Sequence, residues 1–460
     1  MINIRSDSRK VKPGDIFVAL KGISSNGSQY IEDAIKNGAS KLIVEEDGNY
    51  SIPYEVVDDS RKYLENYLVN NYNKYLDEMT LIGITGTNGK TTTAFLLYDA
   101  LNKLGRKCAY MGTIGFYLED KVYSLPNTSP DVTEVYDMII TAYDSGYRYM
   151  TLEISSHGLD MNRLEGINFD YAVFTNLTQD HLDYHKTMGN YALAKQKLFN
   201  RLKPNGKAIV NADDKYKEYF LLENNNNITY GFDISDYQVT DYDMNQGGTK
   251  FTYKYGDKEE FIISNLLGKY NIYNVLVVAS VLLEMGFSHE AVKNVILKLK
   301  SPSGRMDMIK HGNSSIIIDY AHTPDAVEKI IKTMKEVTEG NIYTVFGCTG
   351  DRDRTKRPIM MNIVTSLSKF AIVTNDDPHN EDPDQIVGDM LDGIDVSNYE
   401  VCLDRKKAII KGIDLLKDGD SLLILGKGHE EVMIVKNNEK IPFNDRKVVI
   451  EYLDSIKERV

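Results

Sequence analysis

Residues 83–97 read GITGTNGKTTTAFLL, and the fold of the chain turns on how that stretch is read. Gly89-Lys90-Thr91 supplies the ending of a phosphate-binding loop, whose pattern G-x-x-x-x-G-K-[ST] would put its first glycine at position 84. The chain has Ile84 there, with Gly83 one place early and Gly86 as an extra glycine inside the loop. The context still points to phosphate. TLIGI (80–84) is strand-like and a helix is expected to open near Thr91, so backbone N–H groups at a helix start would face the ligand. Lys90 would reach the outer phosphates, and Thr91 could ligate Mg²⁺. The alternative is a plain glycine-rich strand-to-helix turn.

Further strand runs follow the loop: YMTLEI (149–154), YAVFTN (171–176) and KAIVNA (207–212), with helical segments between them. That alternation predicts a mostly parallel, doubly wound sheet. ENNNN (223–227) reads as a polar loop. The stretch up to about 264 alternates like antiparallel strands of a flanking β layer, and a helical region runs to about 300. Residues 1–78 form a small α/β unit. Its strands are IFVAL (16–20) and KLIVEE (41–46), the helix between them stops at Gly38, and 63–77 is helical. SPSGR (301–305) links to a third, Rossmann-like α/β unit whose strands are SSIIID (314–319), NIYTVFG (341–347), KFAIVTN (369–375) and SLLILG (421–426). The expected units are therefore 1–78, 79–301 and 302–460.

A length of 460 residues allows two to four domains. Apolar and charged contents of 42% and 26% are those of a globular protein in water. A formal charge of −13 argues against a nucleic-acid binder, while phosphorylated substrates need only a local positive pocket. Cys108, Cys348 and Cys402 are odd in number, which suggests a reducing compartment and no zinc site. MINIRSDSRK lacks the apolar core of a signal peptide, and no apolar run approaches the roughly 20 residues of a membrane span. A cytoplasmic enzyme is expected.

In open parallel sheets, ligands gather beyond the carboxyl ends of the strands. Those ends carry Gly86–Thr92, Glu153, His181, Asp319, GCTGDRDR (347–354) and GKGHE (426–430), which together suggest two sheets facing one cleft. Glu153 sits where a Mg²⁺-associated acid belongs, or is a solvated turn residue. Asp180 and His181 could form another metal or phosphate station, unless His181 and His185 are turn histidines without a ligand. On residue type alone Lys195, in YALAKQKLF, is a solvated helix-face lysine. Arg352 and Arg354 read as surface ion pairs, Asp376-Asp377-Pro378-His379 as an acidic turn, and GKGHE as a polar loop.

The ordered set of segments resembles the Mur ligase family across essentially the whole chain, and within it the tripeptide-forming MurE type. The segments are DSRKVKPGDIFVALKG (7–22), GITGTNGKTTT (83–93), NTSPD (127–131), LEISSHGLDMNR (152–163), TNLTQDHLDYH (175–185) and YALAK (191–195). They continue through GKYNIYN (268–274), SGRMD (303–307), DYAHTPD (319–325), FGCTGDRDRTKRP (346–358) and GKGHE. In that family the ATP loop has this altered glycine spacing. The resemblance implies an ATP- and Mg²⁺-dependent ligase that adds a third amino acid, meso-diaminopimelate or lysine, to UDP-N-acetylmuramoyl-L-alanyl-D-glutamate through an acyl phosphate. A monomer is expected.

By the same resemblance, Ser8 and Ile23, Ser24 and Ser25 match UDP-contacting positions. Gly86, Thr87, Asn88, Gly89, Lys90, Thr91 and Thr92 match the ATP loop, and Asn271, Asn274, Arg305 and Asp319 border the nucleotide. Asn127, Thr128, Ser129, Ser155 and Arg163 match positions holding the muramoyl-dipeptide. Thr91, Glu153 and His181 are metal-associated, and Lys195 aligns with a lysine that becomes N-carboxylated and helps hold Mg²⁺. Lys90, Glu153, His181 and Lys195 form the catalytic set. Arg352, Asp376, Asp377, His379, Gly426 and Glu430 fall in the amino-acid-binding segments. Two departures stand out. Met161 replaces a common Gln, and Asp376-Asp377-Pro378-His379 replaces the Asp-Asn-Pro-Arg of diaminopimelate-adding members, whose arginine grips the distal carboxylate bidentately. The rivals are a folylpolyglutamate or poly-amino-acid ligase, which the DSRKVKPGD segment disfavours, and a non-catalytic ATP switch, which the intact catalytic set disfavours.

Overall fold

The computed structural model describes residues 1–21, 26–119, 121–125, 127–223, 226–245 and 247–457. Ile23, Ser24 and Ser25 therefore lie outside the described residues. Three large sheets organise the rest, beside a two-stranded one formed by Val432–Val435 and Glu439–Pro442. The first has four parallel strands in the order Ile4–Arg5, Ile16–Val18, Lys41–Val44, Tyr54–Val56. Gly38, at φ +100°, closes the helix Ile31–Lys36, because a left-handed C-terminal position favours glycine.

The second sheet has 11 strands. Its parallel centre runs through Leu202–Asn211, Phe169–Phe174, Thr80–Thr85, Tyr149–Glu153 and Cys108–Gly112. These strands are nearly continuous apolar runs because helices cover both faces. Antiparallel strands extend both edges. The strands Tyr237–Asn245, Gly248–Tyr255 and Lys258–Ser264, expected as a separate flanking layer, continue this sheet through a short parallel pairing at Tyr230–Tyr237. Their inner residues Tyr237, Val239, Phe251, Tyr253 and Ile262 share a core with the helix Lys269–Glu284. Burying that second apolar face is what keeps them attached.

The third sheet has six strands, ordered Asp307–His311, Ser314–Asp319, Ser421–Leu425, Ile342–Phe346, Phe370–Val373, Tyr399–Val401. All pairings are parallel except the first. Among the described residues no helix is long and apolar enough to cross a membrane.

The first unit is pinned to the second by charge. Arg5 is buried and pairs with Asp15 in its own unit and Asp137 on the helix Val132–Asp144. Lys10 reaches Glu134 and Ser6 donates to Asp131 on the same helix. The third unit touches the second at its ATP-loop candidate. Asn88 Nδ2 donates to Asp325 Oδ2 at 3.0 Å, and Arg305 Nη2 donates to Thr91 Oγ1 at 3.3 Å. The strand ends of the second and third sheets thus share one cleft of about 540 Å³, lined by Asn88, Gly89, Asn271, Arg305 and Asp319 among others.

Candidate active site

The irregular glycine spacing has a local cause. Ile84 is buried within the strand Thr80–Thr85, so the chain cannot turn there. It turns at Gly86, at φ +146°, where a Cβ would overlap the Thr175 hydroxyl. Thr175 in turn donates to the Asn88 carbonyl at 2.7 Å. Gly89, at φ +84°, occupies the N-cap of the helix Lys90–Lys103 and brings no side-chain cap. A helix start without a side-chain cap leaves first-turn N–H groups for a ligand, and its dipole favours an anion. A Cβ at Gly89 would sit 2.8 Å from Asn274 Oδ1, so glycine also admits the helix Lys269–Glu284.

Lys90 curls back and donates to the Thr87 carbonyl at 2.8 Å. Burial, with Arg305 nearby, lowers its pKa. Thr91 Oγ1 donates to Glu153 Oε1 at 2.9 Å, and Glu153 Oε2 accepts from the Thr113 N–H at 2.9 Å. Glu153 is buried, so it is not a solvated turn residue. A hydroxyl and a carboxylate side by side form an oxygen donor set suited to a hard cation such as Mg²⁺.

Lys195 overturns the helix-face reading outright. It is 1% exposed and its amine donates to the Gly86 carbonyl at 2.6 Å, with the Tyr191 ring 4.5 Å away. Burial first, and Lys90 second, push its pKa well below the usual lysine value. The amine is therefore biased towards its neutral, nucleophilic form. His181 is in a left-handed conformation at φ +52°. Its ring meets the His157 ring edge-on at 4.8 Å, and burial lowers its pKa against the pull of Asp180. His185 bonds Ser156 Oγ at 3.0 Å, and burial pushes it down to about 4.

Beyond Thr91 the helix Lys269–Glu284 contributes Asn271 and Asn274, both buried and bonded to each other at 2.8 Å. Thr93 donates to Asn274 Oδ1 at 3.0 Å, which fixes that helix against the loop helix. Asp319 is raised by burial and accepts the Met306 and Ala321 N–H groups, so it shapes the cleft wall below Arg305.

A second cluster lies beside Glu153. Ser129 Oγ accepts from the Ser155 N–H at 3.0 Å and from Ser155 Oγ at 3.2 Å. Arg163 Nη1 donates to the Ser129 carbonyl at 2.8 Å, and Nη2 meets Met161 Sδ at 3.3 Å. Thr128 joins Thr113 at 2.9 Å, while Asn127 is exposed. Ser8 is a member of the first unit; it is buried and its carbonyl accepts from Asn37.

The third cluster is acidic. Asp376, Asp377 and Glu430 bring carboxylate oxygens within 4.8 Å of one another. Lys427, missed by motif reading, is fully buried among them and bonds Asp377 at 2.7 Å and Glu430 at 2.8 Å. Burial opposes its charge, but Asp376, Glu430 and Asp377 prevail and raise its pKa. Burial pushes Glu430 up to about 7 despite that lysine. Gly426, at φ +113°, is required because a Cβ there would overlap Asp376 Oδ2. Arg352 is exposed, and Arg354 pairs with Glu381 as a surface arginine would.

A three-unit α/β chain with an ATP-type loop, a buried lysine beside it and an acidic cluster in its third unit has the architecture of a Mur ligase. Residues 2–81 match the Mur ligase family, catalytic domain; 84–282 match the Mur ligase middle domain; 304–428 match the Mur ligase, glutamate ligase domain. The chain belongs to the Mur ligase family. It is 39% identical over 463 residues to the UDP-N-acetylmuramoyl-L-alanyl-D-glutamate--2,6-diaminopimelate ligase of Clostridium botulinum, covering 98% of this chain and 95% of that one. The Bacillus cereus protein of that name is 38% identical over 458 residues, covering 98% and 93%. A solved structure of a ligase of the same name superposes with TM-score 0.71 at 33% identity, covering 99% and 95%.

The Gly86 geometry makes a direct prediction. Gly86→Ala should abolish measurable ATP binding by calorimetry, because the loop must retreat from Thr175. The melting temperature should fall only modestly. Unchanged ATP affinity would show that the close approach is not what shapes the loop.

Proposed function

We propose that the chain is an ATP-dependent, ADP-forming ligase that adds a diamino acid to UDP-N-acetylmuramoyl-L-alanyl-D-glutamate in peptidoglycan precursor synthesis. The observation that carries the reading is the buried Lys195 amine on the Gly86 carbonyl, beside the Thr91–Glu153 oxygen pair. A phosphate-binding turn needs no second lysine sealed from water, whereas a ligase that makes a hydrolysable acyl phosphate needs ordered charge in a dry site.

The D-glutamyl carboxylate attacks the γ-phosphorus of ATP, the bond to the β–γ bridging oxygen breaks, and ADP leaves. The acceptor amine then attacks the acyl carbon, phosphate departs and the amine loses a proton. Such transfers are catalysed chiefly by positioning and electrostatics. Lys90 releases the Thr87 carbonyl and turns to the outer phosphates, which restore its positive charge. Arg305 brings a cation from the third unit to the same place. Ser129, Ser155 and Arg163 hold the muramoyl-dipeptide, and residues 1–78 with Ser8 dock its UDP end. Thr91, Glu153, His181 and Lys195 as its carbamate would hold Mg²⁺, which supplies neutralisation of the phosphate charge.

The carbamate forms when the neutral Lys195 amine attacks CO₂; a nitrogen–carbon bond is made and one N–H proton is released. The buried, lowered pKa favours that reactant. In the third unit, Asp376, Asp377 and Glu430 outnumber Lys427 and suit the ammonium of a diamino acid, with Arg352 on its carboxylate.

The reading is tested by coupled ADP release. Turnover should require both the UDP-linked dipeptide and an amino acid, and Lys90→Ala should remove it. Equal ATP turnover without the UDP substrate would overturn the assignment.

For the buried lysine, Lys195→Ala should lower kcat by about 10²–10³-fold, the scale of losing one preorganised electrostatic group. Added short-chain carboxylates should restore part of the rate. A fully active alanine variant would refute the carbamate.

Acceptor choice turns on His379, whose imidazole cannot make the bidentate contact with a carboxylate that an arginine makes. Lacking a charge-assisted bidentate contact forfeits about 1.5–3 kcal/mol, roughly ten- to a hundredfold in discrimination. His379→Arg should therefore raise the kcat/KM ratio of meso-diaminopimelate to L-lysine. Strong wild-type selectivity for diaminopimelate, unchanged by the substitution, would place the reading of that carboxylate elsewhere.

A further inference from the structure

The two loops assigned above to the acceptor, 347–354 and 376–382, meet at one carboxylate. Glu381 accepts from Arg357 Nη1 at 3.0 Å and Nη2 at 2.9 Å, from Arg354 Nη2 at 2.8 Å, and from the Asp351 N–H. Arg357 is fully buried and also bonds Asp389 at 2.7 Å and the Thr349 carbonyl at 3.3 Å. The Arg357 guanidinium holds the Glu381 carboxyl down to about 2, so it is ionised at every working pH.

Backbone contacts complete the joint. The Gly350 N–H donates to the Asp377 carbonyl at 2.8 Å, and a Cβ at Gly350 would overlap the Pro378 carbonyl. Asn380 Nδ2 donates to Asp351 Oδ2 at 3.1 Å. Each loop also holds a non-glycine residue in the left-handed region, Asp351 at φ +52° and His379 at φ +51°. Such residues persist where surrounding contacts over-determine them, and they cluster at functional sites. Arg352 follows the first, and His379 is itself the second. The directions in which both side chains leave the backbone are therefore set around Glu381.

We propose that Glu381, through Arg357 and Asp351, is a positioning residue for the acceptor amino acid, aiming Arg352 and His379 at it without touching it. This rests on the reading that these loops take the acceptor. A merely structural staple would lower the melting temperature and affect all three substrates alike. A positioning residue separates them, since a misaimed recognition group weakens only its own ligand.

The experiment measures KM for ATP, for the UDP-linked dipeptide and for the best wild-type amino acid, in the full-length protein. Glu381→Gln should raise the amino-acid KM about tenfold or more and leave the other two within about twofold. Arg352→Ala serves as the control on the loop assignment. If Arg352→Ala raises the amino-acid KM and Glu381→Gln does not, the positioning role is refuted and the acceptor reading stands. If neither raises it, the acceptor reading fails and the positioning role with it. A rise in all three KM values makes Glu381 a fold staple and refutes the proposal. Should Glu381→Gln not fold, Asn380→Ala cuts the exposed side of the same joint. A several-fold selective rise in the amino-acid KM then supports the proposal, and no change overturns it.

Discussion

At Gly86 the backbone passes so close to Thr175 that no side chain fits between them. Much of the catalytic candidate set follows from that approach. It lets Thr175 bond the Asn88 carbonyl and the Asn176 carbonyl accept the Thr87 N–H at 2.7 Å, so the loop is sewn to the end of the neighbouring strand. The Gly86 carbonyl is left facing the helix Met188–Gln196, where Lys195 caps it. A buried amine with one carbonyl partner and a lysine nearby is poorly placed to keep a proton. Under the proposed function, the backbone turn that would receive phosphate would therefore also prepare Lys195 for reaction.

The architecture was legible because the strand runs are short, apolar and bounded by polar turns, and because burial on both faces of a parallel sheet leaves that signature. The antiparallel strands 237–264 alternate as expected, but their attachment was not legible. It depends on a two-residue pairing at Tyr230–Tyr237 and on a core shared with a helix later in the chain. Lys195 was invisible to residue type for a similar reason. Its helix is short, and what buries the lysine is a loop more than 100 residues earlier. Only the ordered resemblance to a family could single it out. Lys427 lay inside the quoted GKGHE segment but was not singled out, and Glu381 escaped altogether, since a lysine in a glycine-rich turn and a glutamate within a loop carry no pattern of their own.

The net charge of −13 conceals two local clusters of different charge. Lys90 and Arg305 sit at the 86–92 loop, while Asp376, Asp377 and Glu430 surround the single Lys427 in the third unit. A ligase must bring a carboxylate and polyphosphate together on one side and offer them an amine from the other. Under the proposed function, such clusters would sort the reactants before any contact is specific.

The segment 304–325 touches both clusters. Arg305 bonds Thr91 of the phosphate loop, and Asp325 bonds Asn88 of that loop. Next to Arg305, Gly304 packs so tightly on His429 of the 426–430 turn that glycine is the only residue that fits. Tyr320 stacks between the two sides, with Arg305 4.5 Å from its ring and the His429 ring 5.4 Å away. Those contacts place the 86–92 loop and the turn that carries Lys427 and Glu430 on one closely packed segment.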